Sequence, residues 1–165
     1  MEQKLKNNKG LIAYAEAQLG RPYWYGTFGQ KATPYIYTYN KGRFPKYYSA
    51  PDFPSQYGMK VHDCVGLIKG YFWSKDANDM APKYKSNGFN DFSADSLLVH
   101  CVQKGPIETI PEIPGVAVFL KGHVGIYIGN GEVIEARGHA YGVVKTKLKA
   151  RPWKNWGIIP ELQYL

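Results

Sequence analysis

The chain changes its hydrophobic period part-way along, and this limits its fold more than any other feature. In the first two thirds, apolar positions recur at helical spacing. Leu11, Ile12, Tyr14, Ala15 and Leu19 share a face of residues 9–19, which Gly20 and Pro22 stop. Cys64, Leu67, Ile68, Tyr71 and Phe72 fall at i, i+3, i+4, i+7 and i+8, a buried stripe. Residues 93–102 form another amphipathic segment, ended by Gly105-Pro106. From residue 116 the period is two. Residues 116–120, 123–128, 132–137, 142–148 and 156–159 read as short strands separated by Gly, Pro or Asn-Gly. Helices followed by a run of strands predict an α+β fold. N-terminal helices pack on a C-terminal antiparallel sheet, or on a partial barrel.

A length of 165 residues with 44% hydrophobic content suits a single domain over 1–165 with one sizeable core. No run approaches the roughly 18 apolar residues of a membrane span, so no stable membrane insertion is expected. The opening residues, Met1 to Lys9, are polar and basic rather than a signal peptide. Synthesis in the cytoplasm is therefore the expectation. Two cysteines, Cys64 and Cys101, make no disulfide framework and read as free thiols. The net charge of +8 suits a polyanionic neighbour such as nucleic acid, anionic lipid or an anionic wall polymer. The basic residues are scattered with no dense run, which argues against nucleic acid. Residues 28–60 stand apart, with Tyr35, Tyr37, Tyr39, Tyr47, Tyr48 and Tyr57 interleaved by four prolines. They read as a long loop or pair of loops, serving either a functional role or only as a flap over core.

Thiol catalysis needs a thiolate, a base to take its proton, and a group that orients the base. Cys64 opens a predicted helix, where unpaired N–H groups and the dipole stabilise an anion and lower a thiol pKa. Asp63 can cap that helix, and Gly66 leaves room for a substrate backbone. Taken alone, Cys64 fits a buried structural cysteine as well; Cys101, mid-segment, reads as structural. His123 begins a strand on the face of Gly125 and Tyr127, opposite Val124, Ile126 and Ile128. The following hairpin tests its role. A two-residue Asn130-Gly131 loop would pair Gly129 with Glu132 and bury Glu135 among those apolar side chains, at a cost of several kcal/mol. A three-residue loop with Gly131 left-handed instead sets Glu135 opposite Gly125, diagonal to His123. The hydrophobic pattern selects the second register, and Gly125 would then let Glu135 approach the imidazole.

Four ordered motifs carry a family resemblance. These are Arg21-Pro22-Tyr23-Trp24-Tyr25-Gly26, Asp63-Cys64-Val65-Gly66-Leu67-Ile68, Pro114-Gly115-Val116-Ala117-Val118-Phe119 and Gly122-His123-Val124-Gly125-Ile126-Tyr127-Ile128-Gly129. They resemble the motifs of NlpC/P60 cysteine peptidases, most closely stand-alone domains of Gram-positive bacteria and their phages. The resemblance implies a papain-like fold and cleavage of peptidoglycan stem peptides at D-γ-glutamyl–diamino acid bonds. It implies Cys64 as nucleophile, His123 as base, Glu135 in the third place and Tyr23 orienting the cysteine and the oxyanion. Asp63 matches an acid that meets a free amine of the stem. Tyr25, Tyr35 and Tyr37 are expected in substrate binding, and the 41-residue separation of Tyr23 and Cys64 marks residues 28–60 as an insertion. Val65 stands where serine is commoner, and glutamate is an uncommon third residue, with His139 as the fallback. The implied partners are stem peptides and anionic wall polymers, reached by phage lysis, tail assembly or secretion, with no metal or organic cofactor. Three other classes share some of these features. They are lipid-acting acyltransferases or amidases of the same fold, a non-catalytic wall-binding module, and a zinc site of Cys64, His62 and His123, which lacks the spacing structural zinc requires.

Overall fold

The computed structural model describes residues 6–165. Its elements run α1 (Asn8–Ala17), β1 (Phe28–Lys31), α2 (Pro34–Arg43), β2 (Lys60–His62), α3 (Cys64–Trp73), α4 (Ala94–His100) and β3 (Lys104–Pro106). The chain continues through β4 (Ala117–Leu120), β5 (His123–Gly129), β6 (Glu132–Ala136), β7 (Val143–Lys147) and β8 (Asn155–Gly157). Strands β1 and β2 pair by themselves; the other six form an antiparallel sheet in the order β3-β8-β4-β5-β6-β7. This is the expected α+β architecture in its sheet form, since β3 and β7 are open edges rather than a closed seam. Among the described residues no helix is long and apolar enough to cross a membrane.

The period-two pattern explains how the sheet is covered. Phe119, Val124, Ile126, Ile134 and Ala136 are buried on one face against Leu11, Leu67, Ile68, Phe72 and Leu97 of the helices. The other face buries Val118, Tyr127, Val133 and Trp153. Helix α3 is the hub and is apolar nearly all round. Such helices belong in interiors. Its start is fastened twice. Asp63 Oδ1 accepts the Gly66 N–H at 2.7 Å, an N-cap, and Oδ2 accepts the Gly26 N–H at 2.9 Å. Gly66 lies so close to the 24–27 turn that a Cβ there would sit 1.9 Å from the Thr27 carbonyl oxygen. Its lack of a side chain thus serves helix–turn packing, not the substrate room expected from sequence.

Two local expectations are corrected. Residues 28–60 are not loops but carry β1, α2, two short 3-10 turns and β2. Thr33 caps α2 from its side chain, with Pro34 at the first turn. That pairing is a helix start signal, and it prevails over tyrosine's strand preference. This segment builds its own small core from Trp24, Ala32, Tyr48, Phe53 and Val61, with Tyr37 and Tyr57 packed on it. At the β5–β6 turn, Asn130 and Gly131 both take positive φ, 54° and 73°, and Gly129 pairs with Glu132. That is the two-residue turn, not the three-residue loop. A bulge between Tyr127 and Gly129 then shifts the ladder to Tyr127–Val133 and Ile126–Ile134, and Glu135 reaches the His123 face all the same.

Because backbone, not a flexible side chain, blocks a β-carbon at Gly66, Gly66→Ala should cost about 1–3 kcal/mol as overpacking. Urea unfolding of the purified protein checks this; a midpoint within error of the parent would refute the close approach.

Candidate active site

Asp63 leaves β2 with extended backbone (φ −96°, ψ −169°) and turns the chain into α3, so Cys64 is the first helical residue. The thiol sits in a cleft of about 370 Å³ that Tyr25, Phe44, Asp63, Lys69 and Asp91 help to line. The backbone amides of Val124 and Val65 lie near enough to the sulfur to favour its anion. Val124 follows His123 directly, so the sulfur reaches β5 at the residue next to the imidazole. Burial nonetheless pushes the thiol pKa up to about 12, with the Asp63 charge adding to it; the two amides and Lys69 pull the other way without prevailing. The low thiol pKa expected of a helix amino end is thus not found, because loss of solvation exceeds the pull of the two amides and Lys69. Asp63 is itself pushed up by burial, against its two amide bonds and Lys69.

His123 Nε2 meets Glu135 Oε1 at 2.8 Å. Nδ1 makes no hydrogen bond to protein among the described residues and is the nitrogen free for proton transfer. Glu135 is wholly buried, yet its charge is supported. Thr146 Oγ1 donates to Oε2 at 2.6 Å, Arg151 Nη2 donates to Oε1 at 2.9 Å, and Arg151 Nε lies 3.2 Å from both oxygens. Burial alone would raise this carboxyl; hydrogen bonds from His123, Arg151 and Thr146 outweigh it and hold the pKa at about 2. Trp153 stacks under the imidazole, with centroids 5.5 Å apart and planes 12° apart. Gly125 makes room for that indole, since a Cβ there would lie 2.9 Å from Trp153 and 2.8 Å from Val133. The sequence-based reason for Gly125, access for Glu135, is replaced by this one.

The remaining expected residues divide. Tyr23 lies beside Asp63 and Cys64. Burial first, then those two charges, raise its pKa well above the ordinary phenol value, so the hydroxyl stays a proton donor. Tyr25 walls the Cys64 cleft, stacked on Tyr47 with centroids 3.9 Å apart. Tyr35 and Tyr37 do not line that cleft, contrary to expectation. Tyr35 is 76% exposed and stacks on Tyr39 one helical turn along α2, while Tyr37 packs on Trp24 and Phe53 in the small core. Helical spacing, unseen in a segment taken for loops, separates their directions. His139 is not against His123; its Nδ1 meets the Tyr23 carbonyl at 3.1 Å and its Nε2 meets Asp52 at 2.5 Å, bracing Tyr23 from behind. His62 turns inward to the Tyr14 hydroxyl at 2.7 Å, away from a shared metal position with Cys64. Cys101 is buried against Gly157. Arg151, Thr146 and Trp153 escaped the sequence reading. Arg151-Pro152-Trp153 lies outside any periodic element, and Thr146 shows only as an alternating strand residue.

The sequence matches no protein-family model and no curated protein. Among solved structures the fold is that of NlpC/P60 domains. The peptidoglycan hydrolase RipB of Mycobacterium tuberculosis aligns over 95% of this chain at 22% identity and a TM-score of 0.56. This chain spans 65% of RipB's length, just under two thirds. The P60 domain of antigen MAP1204 from M. avium subspecies paratuberculosis gives 20% identity and 0.56, covering 95% of this chain and 96% of that one. The NlpC/P60 domain of the peptidoglycan hydrolase SagA gives 15% and 0.50, covering 92% and 98%.

A carboxyl held at about 2 against an ordinary 4.5 stabilises the fold fully above pH 4.5. That contribution, about 3 kcal/mol, is lost as pH falls toward 2. Glu135→Gln should therefore flatten the loss of stability across this window in denaturant titrations. Parallel curves for both proteins would exclude a supported carboxylate.

Proposed function

We propose that the chain is a cysteine peptidase that hydrolyses peptidoglycan stem peptides. One observation carries the proposal. The thiol at the amino end of α3 lies beside the Val124 amide of β5, next in sequence to His123, whose Nε2 is held by the buried Glu135. A helix-start thiol, an imidazole at a strand edge and a buried orienting acid are the parts nucleophilic acyl transfer requires. The fold shared with peptidoglycan hydrolases supports the choice of substrate, and the motif resemblance supports the D-γ-glutamyl–diamino acid bond.

His123 acts as general base while Cys64 attacks the peptide carbonyl. The oxyanion that forms lies at the start of α3. The Cys64 amide and the Tyr23 hydroxyl are its donors. His123 then passes its proton to the departing amine, which leaves a thioester on Cys64. Water, deprotonated by the same imidazole, releases the acid product. Glu135 keeps one imidazole nitrogen engaged so that the other faces the chemistry. On the cleft wall, Asp63 offers negative charge to an amine of the stem, and Tyr25 a flat apolar surface. Tyr35 and Tyr37 have no part in this cleft. Anionic wall polymers suit the net charge of +8 as a second, weaker partner. The wall is then the place of action.

Digestion of purified muropeptides, with new termini identified by mass spectrometry, checks the reaction. Cys64→Ala should lower turnover about a thousandfold or more while substrate is still held. Wild-type protein that releases no peptide from any wall type, or a Cys64→Ala variant with undiminished turnover, defeats the proposal.

A further inference from the structure

We infer that Arg151 is a positioning residue of the Cys64–His123 pair: by neutralising Glu135 it governs how readily the imidazole carries a proton. This rests on the peptidase reading of the site. Glu135 has no exposure to water, so its charge is sustained by donors alone. Arg151 presents a two-pronged guanidinium to it, and Nη2 shares Oε1 with His123 Nε2, at 2.9 Å and 2.8 Å. Forked guanidinium–carboxylate contacts are strong and geometrically demanding. Two donors of different kinds therefore draw on one oxygen. Without the arginine, the full negative charge would act on the imidazole alone and favour imidazolium. With it, the carboxylate orients the ring while exerting little net field. The same guanidinium lies 5.8 Å from the ring of Trp153, which stacks on His123 and fixes the ring plane.

The ionisable groups around the Cys64–His123 pair come from each packed element. Glu135 comes from β6, Arg151 from the segment after β7, and Cys64 with Asp63 and Lys69 from the start of α3. Tyr23 lies beside Cys64, and Asp95 of α4 accepts the Gly122 N–H at 2.8 Å, one residue before His123. Arg151 and Lys69 are the cations in this set, and Arg151 is the one that contacts the carboxylate holding His123. Lys69 is taken by Asp91 at 2.5 Å. Replacing Arg151 by a neutral side chain should shift the pair toward thiolate and imidazolium.

The test measures the rate of Cys64 alkylation by iodoacetamide against pH, localised by mass spectrometry, together with the pH profile of kcat/KM on muropeptides. In Arg151→Gln, Cys64 should alkylate about tenfold faster near neutral pH, and the acidic limb of kcat/KM should move up by about one pH unit. Arg151→Lys, which keeps the charge, should stay close to wild type in both. A wild-type alkylation profile in Arg151→Gln overturns the inference, as does an equal displacement in Arg151→Lys. If Arg151→Gln does not fold, Thr146→Val removes a neutral donor from the same carboxylate. It must then shift both profiles in the same direction by less, and an unshifted profile overturns the inference. Alkylation needs no substrate. A displaced alkylation profile in a protein that cleaves no muropeptide would thus sink the peptidase reading and leave the role of Arg151 standing.

Discussion

The fastening of the start of α3 is the constraint on which the rest depends. Asp63 spends both carboxylate oxygens on backbone amides, one in its own helix and one at Gly26. Gly66 lets the Thr27 carbonyl approach to a distance no side chain would permit. Together these fix where the helix begins, in which direction it points and which residue comes first. Buried on nearly every side, α3 cannot slide or rotate without opening the main core. Cys64 is therefore held against β5 by packing that has no chemistry of its own.

Burial has a second consequence at this position. Closeness to the sheet brings the Val124 amide to the sulfur, but it also strips water from the thiol, and the loss of solvation exceeds the help of two amides. A position at a helix amino end therefore does not by itself bring this thiol's pKa down. The proton must go somewhere at the moment of attack, and this shifts weight onto His123 and onto whatever holds it. Here that holder is a carboxylate with no water, kept ionised by a threonine and an arginine. The site is a chain of dependencies, each group made usable by the one behind it.

The segment 28–60 shows how far local propensity misleads. Its tyrosines and prolines suggest irregular chain, yet Thr33-Pro34 starts a helix, and helical angle separates Tyr37 from Tyr35 and Tyr39. Tyr37, Tyr48 and Tyr57 close a small core around Trp24, Tyr25 turns to the cleft, and Tyr35 with Tyr39 face solvent. His139 joins this segment to the main sheet through Asp52 while holding the Tyr23 backbone, so the segment also braces the site from outside.

Periodicity by itself determined the α+β class, the helical stripe carrying Cys64, the alternation of β5 and the face that Glu135 takes. These follow from burial, which each residue reports through its own hydrophobicity, and from the cost of placing a charge in an apolar layer. Tertiary structure alone decided the rest. The bulge reconciling a two-residue turn with that face, the stacking of Trp153 at Gly125, the grip of Arg151 on Glu135 and the high thiol pKa all arise between residues distant in the chain. Their energies depend on distance, orientation and exclusion of water, quantities that a linear pattern does not carry.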